Sequence, residues 1–350
     1  VTGSGGPVDF GAGRSVLRVR GYSALWNTRV AALVALATIG GIGAFLLAVS
    51  LGSYPIPLAE VFAILGGADH GFSSQVVLEW RLPRAVAGLV FGAGLGVSGA
   101  IFQSLTRNPL GSPDVIGLGA GAFTGALLAV QFTDSRLAVI VFALIGGLGA
   151  GLLVYLLSYR RGLSGMRFVI VGIAVASALT AMNSILLLRM NTFTATTVSV
   201  WGQGSLGELK WPAVTPVAIA VGLLLGCASA LAPALRQLEL GDAAAHSTGV
   251  RVERARLLLL LVGVLLTAVI TSITGPIAFI ALIAPQLARI TSGSAGATLA
   301  GSAASGALLL SVADLAGAHL FRVSVPVGVV TAVLGGGYLI GLLIREARSR

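Results

Sequence analysis

Charge is what this sequence has least of. Only 10% of its 350 residues are Asp, Glu, Lys or Arg, while 56% are hydrophobic, against about 25% charge in an ordinary soluble domain. The deficit runs along the whole chain, which excludes both a water-soluble globule and a soluble domain on a single anchor. Cysteine is almost missing too: Cys227 stands alone in an apolar run, so neither a disulfide framework nor a thiolate metal site can be built. His70, His246 and His319 are scattered without ligand spacing, and no bound metal is expected. The single lysine, Lys210, follows Leu209 and belongs to no GxxxxGK[ST] loop, so the chain carries no Walker A phosphate site. With no Ser/His/Asp set and no paired-carboxylate cleft, the expectation is a protein that is not an enzyme and takes no cofactor.

What is present is a series of uncharged runs. Backbone groups in lipid must be satisfied within their own segment or in a closed barrel, and barrel strands alternate every second residue over about ten residues. These runs are continuous, so the fold class is all-α, a polytopic helical membrane bundle. The stretch Arg81–Gly119 organises it: Arg-Leu-Pro-Arg, then about twenty uncharged residues, then Arg-Asn-Pro-Leu-Gly-Ser-Pro. Gly92, Gly96 and Ala100, with Gly94 and Ser98 between, give it small faces on which a neighbouring helix can pack closely.

Taken in order, residues 1–29 read as a solvated, basic cytoplasmic tail and 30–345 as the transmembrane domain, with 346–350 a second cytoplasmic tail. Residues 30–51 form a retained first helix. Residues 53–80 are external, with a short amphipathic helix at 58–65. Further spans are expected at 115–130, 137–158, 168–188, 211–231, 257–271, 299–320 and 327–344, with 277–289 too short to cross alone. That makes about ten membrane segments, two of them short or broken. Residues 189–210 read as an external polar loop, and 232–256 as an internal connection of two short helices broken at Gly249. Most basic residues then fall in alternate loops, the positive-inside pattern, with both termini inside. The excess of positive charge, +10 overall, therefore marks topology and not nucleic acid. Gly99, Ile101 and Pro109 share their offsets with Gly275, Ile277 and Pro285, an internal echo that suggests the inverted repeat of transporters.

Several positions carry two readings. Arg81 and Arg84 sit at an external helix start, either as headgroup anchors or as a docking site for an acidic partner surface, since guanidinium pairs carboxylates bidentately. Arg322 is a third external arginine. The segment Leu240–Val250 (Leu240, Gly241, Asp242, His246, Gly249, Val250) is longer than a bundle connection of roughly 2–8 residues needs to be, which favours a docking element over a linker. His246 reads as a contact residue. Asp114 and Asp314 are the acids nearest apolar spans; capping or local hydrogen bonding competes with ion coupling. An ion-coupled secondary transporter working alone is the rival from another class.

Glu79–Arg84 (EWRLPR), Gly96–Gly117 (GVSGAIFQSLTRNPLGSPDVIG), Leu240–Val250 (LGDAAAHSTGV), Gly275–Arg289 (GPIAFIALIAPQLAR) and Pro326–Ile344 together resemble the FecCD (BtuC-like) permeases. These are membrane subunits of binding-protein-dependent ABC importers for iron-siderophore, haem and cobalamin. The wording is most similar to the ferric-enterobactin branch, whose permease pairs with a second, distinct permease. The resemblance implies a BtuC-like permease importing a ferric siderophore, with cobalamin or haem as the alternative cargo. It implies three partners: a separate cytoplasmic ATP-binding subunit acting as a dimer, an extracytoplasmic siderophore-binding protein, and a second permease subunit, distinct or identical. Arg81 and Arg84 match the arginines that receive the binding protein. Leu240–Val250 matches the helices that engage the ATPase, and Asn108, Leu110, Ser164, Gly165 and Met166 fall at the inner gate. Two positions depart from the pattern: Gln286 stands where the family usually has His, and Arg322 does not align cleanly with the family's third docking arginine. At the gate, Gly165 and Met166 replace more hydroxyl-rich residues.

Overall fold

The computed structural model describes residues 14–19, 22–159, 165–294, 296, 298–321 and 323–349. It opens with an antiparallel hairpin, β1 (Arg14–Val19) and β2 (Tyr22–Asn27), in which Val16 faces Leu25 and Ser15 faces Trp26. The sequence reading of residues 1–29 is a solvated basic tail, and the backbone pairing of these two arms is what it does not foresee. Asn27 ends the hairpin and caps α1 (Thr28–Ser50), its Oδ1 accepting from the Arg29 and Val30 amides at 3.0 and 3.4 Å.

Among the described residues seven helices are long and apolar enough to cross a bilayer. They comprise α1, α4 (Leu82–Thr106, continuous with the short α3 at Phe72–Gln75 and a π-helical turn at Val76–Arg81), α6 (Arg136–Ser158), α7 (Gly165–Leu188), α9 (Trp211–Glu239), α11 (Val252–Thr274) and α13 (Leu299–His319). Two short helices, α5 (Leu118–Phe132) and α12 (Ile280–Ser292), and the terminal α14 (Val327–Ser349) accompany them among the described residues. The expected amphipathic helix is α2 (Leu58–Leu65), burying Val61 and Ile64.

Two expectations change. Residues 192–201 are helical (α8, Thr192–Trp201) and not a loop: Asn191 caps it by accepting from the Thr194 amide at 2.8 Å, and Thr196 and Thr197 donate back to the carbonyls four residues earlier. The 232–256 connection holds one separate short helix, α10 (Asp242–Ser247), because α9 runs on to Glu239 and α11 begins at Val252. Gly241 (φ 113°) and Gly249 (φ 82°) make the two reversals that isolate α10.

The buried axis is α4 with α11. Small residues bring backbones together there: a Cβ on Gly92 would fall 2.8 Å from the Gly306 carbonyl carbon and 2.9 Å from the Ala307 Cα of α13. Ser98, with no exposure, donates to the Gly263 carbonyl of α11 at 2.8 Å and lies 2.9 Å from the Thr267 hydroxyl. The chain is built twice. Helix α13 packs on α4 as α6 packs on α11, and the short helices follow turns of the same kind. Helix α4 runs toward α10 and α11 runs away from it, so the copies are inverted. The matching positions are the left-handed residues that open the short helices, Gly117 (φ 85°) before α5 and Phe279 (φ 68°) before α12. The Gly99/Gly275 echo is a coincidence of composition, since Gly99 lies inside α4 and Gly275 ends α11.

The two turns touch. The Phe279 amide donates to Asp114 Oδ2 at 3.1 Å, so Asp114 caps the short helix of the opposite half and not the helix that follows it. An anion is favourable at a helix N-terminus, and the bond satisfies an amide held in a conformation that costs a bulky residue of order 1–3 kcal/mol. The Phe279 ring lies against Gly335 of α14, where a Cβ would meet it.

Candidate functional site

The polar side chains collect at the two ends of the bundle. At the Arg81 end, both arginines are engaged within the chain. Arg84 makes a bidentate pair with Asp314 of α13, Nε to Oδ2 at 2.7 Å and Nη2 to Oδ1 at 2.9 Å; the arginine side chain is 24% exposed and the aspartate 8%. Asp314 is thereby neutralised by a partner across the sequence, the expected fate of an acid in an apolar span. Arg81 Nη1 donates to the carbonyls of Val49 and Ser50 at 2.9 and 3.1 Å, and Nη2 to that of Tyr54 at 2.7 Å. It closes the end of α1, where backbone carbonyls lack helical partners. Beside it Tyr54, Phe72 and Trp80 form a ladder of edge-to-face rings at 5.7 and 5.9 Å. Arg322 lies outside the described residues.

At the opposite end, the segment after α9 presents Leu240, 72% exposed, with Asp242, His246 and Gly249 also exposed, while Ala245 is buried and Val250 packs against the core. Asp242 Oδ1 accepts from two arginines, Arg107 at 3.0 Å and Arg256 at 2.9 Å. Arg107 is the left-handed C-cap of α4 (φ 50°) and also donates to the Leu238 carbonyl at 3.3 Å. Helix α10 is thus tied directly to the turn that begins at Asn108.

That turn is compact. Asn108 Oδ1 accepts from the Leu110 amide, its carbonyl from the Gly111 amide, each at 2.9 Å, and Leu110 is exposed. Gly165 starts α7 against the end of α4, where a Cβ would lie 2.7 Å from the Thr106 Cα; Met166 beside it is exposed. Ser164 lies outside the described residues. The structure therefore brings Asn108, Leu110 and Gly165 to one place, and joins them to Asp242 through Arg107.

Three links were missed from the sequence: Arg84 with Asp314, Arg107 and Arg256 with Asp242, and a relay centred on Gln286. Gln286 Nε2 donates to Gln103 Oε1 at 2.7 Å and to the Pro109 carbonyl at 3.1 Å, and its Oε1 accepts from Arg289 at 2.8 Å. The sequence marks Arg84, Asp314 and Gln286 singly, but nothing local marks how they pair. Between these ends, a cleft of about 540 Å³ opens along α7, lined by Asp114, Ile173, Ser177, Thr180 and Ser184. Thr180 and Ser184 donate their own hydroxyl protons to carbonyls one turn back.

Comparison with known proteins follows this geometry. The family model of the FecCD transport family matches residues 32–345. The ferric enterobactin transport system permease protein FepG of Escherichia coli K12 is 48% identical over 301 residues, covering 85% of this chain and 91% of that one. A siderophore transport system permease of Bacillus subtilis, YfhA, is 36% identical (87% and 92% covered), and the hemin transport permease HmuU of Yersinia pestis 35% (79% and 85%). A solved structure described as an inward-facing metal-chelate type ABC transporter superposes with a TM-score of 0.78 at 25% identity, over 90% of this chain and 99% of that one.

Proposed function

The chain belongs to the FecCD transport family, and on that premise we propose that it is the permease subunit of an ABC importer carrying a ferric siderophore of the enterobactin type across the cytoplasmic membrane. The near-half identity with a ferric enterobactin permease through the membrane segments carries the cargo reading. The machinery reading draws on Asp242: an exposed short helix bonded to the C-cap of the central helix can convert a push from a cytoplasmic ATPase into movement of the Asn108–Leu110 turn.

In this mechanism the Arg81 end faces outward and receives a loaded binding protein, both termini lie inside, and the chain pairs with a second permease. Arg81 and Arg84 take part in docking with part of each guanidinium already engaged, so the exposed Tyr54, Phe72 and Trp80 rings beside Arg81 add contact area. ATP binding closes a separate ATPase dimer, Leu240–Val250 follows it, and the turn at Asn108–Leu110 opens, next to the end of α4 where Gly165 packs on Thr106 and Met166 lies exposed. The chelate passes as a hydrophilic whole along the α7 cleft, at the interface with the second permease. The ion-coupled rival needs a free titratable relay at membrane depth; Asp314 is held by Arg84 and Asp114 by the Phe279 amide.

Haem is the second reading, given the hemin permease among the relatives. Uptake of labelled ferric enterobactin, other ferric siderophores, haem and cobalamin in a strain lacking this gene distinguishes them. Loss of ferric catecholate uptake alone is the expected outcome; loss of haem or cobalamin uptake with catecholate uptake intact overturns the cargo reading.

A further inference from the structure

Gln286 is 4% exposed, and each of its polar atoms has a partner. Arg289 is donor-only and fixes which side of the carboxamide is oxygen, so the NH2 group must face Gln103 and Pro109. Gln103 completes the relay by donating to the Leu282 carbonyl at 2.9 Å. These bonds join α4, the 107–111 turn and α12.

We propose that Gln286 is a positioning residue for the inner gate: its NH2 group holds the Pro109 carbonyl and so keeps the Asn108–Leu110 turn closed against α12. The inference rests on the reading of that turn as the inner gate. Within the turn, Asn108 satisfies the Leu110 and Gly111 amides, whereas the Pro109 carbonyl takes its donor from the other half of the molecule. Helix α12 is suited to act as the anchor. Pro285 removes the amide that would pair with the Ala281 carbonyl, and Gly99 of α4 packs directly against that carbonyl. Helix α12 is held at its N-cap amide by Asp114, in its first turn by Gly99 and Gln103 of α4 at the Ala281 and Leu282 carbonyls, and at its centre, through Gln286, by Pro109. On the other side of the turn, Arg107 connects to Asp242. A displacement of α10 therefore pulls on the turn while Gln286 resists it, and release of the part-buried Pro109 bond sets the threshold for opening.

The test uses the complete permease with its ATPase in proteoliposomes loaded with a small water-soluble dye, without ATP. Efflux then reports the inner gate independently of the cargo. Gln286→Glu keeps the shape but turns an oxygen toward the Pro109 carbonyl; the expected result is an efflux rise on the order of tenfold with normal recovery of the ATPase-bound complex. Gln286→Met, equally long and without a donor, gives the same rise and replaces Gln286→Glu if that variant does not assemble. Gln286→His, which keeps a ring N–H, stays near the unmodified protein. Asn108→Ala, which dismantles the turn from within, tests the gate itself and is expected to leak. Leakage by Asn108→Ala with tight Gln286→Glu and Gln286→Met overturns the latch; tight membranes in all variants overturn the gate reading and the latch with it.

Discussion

The two ends of the bundle are held by different chemistry. At the Arg81 end, a bidentate ion pair with an 8%-exposed aspartate fastens α4 to α13, and a second guanidinium covers three carbonyls around the end of α1. At the Asp242 end the ion pairs share a half-exposed carboxylate, 51% open to solvent, with Arg256 the one buried partner, and the carboxamides of Gln103 and Gln286 carry the relay beside it. Breaking a buried charge pair leaves a charge without compensation and costs several kcal/mol, whereas exposed pairs exchange with water for little. The first end is therefore a fixed mount and the second a set of more replaceable contacts, which suits the second to the movement proposed for it.

The comparison breaks most sharply at Asp314. Asp314→Ala strands the Arg84 guanidinium and is expected to lower stability by roughly 3–5 kcal/mol, read as thermal unfolding of the detergent-solubilised protein. The exchange Arg84→Asp with Asp314→Arg should regain part of that loss, and equal instability of single and exchanged variants would deny the pair its role. Arg81→Ala comes next: three carbonyls lose a charged donor, for a cost of about 1.5–3 kcal/mol, seen as faster proteolysis between α1 and α2. Asp242→Asn should move stability least, by about 0.2–1 kcal/mol, yet reduce chelate transported per ATP hydrolysed. A proportional fall in both ATPase rate and transport would place Asp242 with the fixed mount instead.

How far the sequence foretold this depends on the range of the interaction. The spans were legible because lipid demands long uncharged runs, and the breaks before α5 and α12 because Gly and Pro interrupt them. Helix α8 was not, since a Thr-rich segment looks like a polar loop until its hydroxyls are seen bonding backward along the helix. Arg81 and Arg84 lie at the helix start where the sequence puts them, but their partners were not legible: Arg84 and Asp314 stand 230 positions apart, and no local pattern selects one carboxylate over another. Gln103 and Gln286 failed for a similar reason, 183 positions apart and uncharged, so neither hydropathy nor charge sets them off.

The bond between Asp114 and the Phe279 amide also bears on how such a chain can be assembled. Asp114 leaves the ribosome long before Phe279, and Gly335, against which the Phe279 ring rests, follows later still. That bond cannot form until the second half has been made, and α4, whose main neighbour is α13, is fully packed only then. The inverted copies are thus completed together: neither half holds its buried contacts without the other.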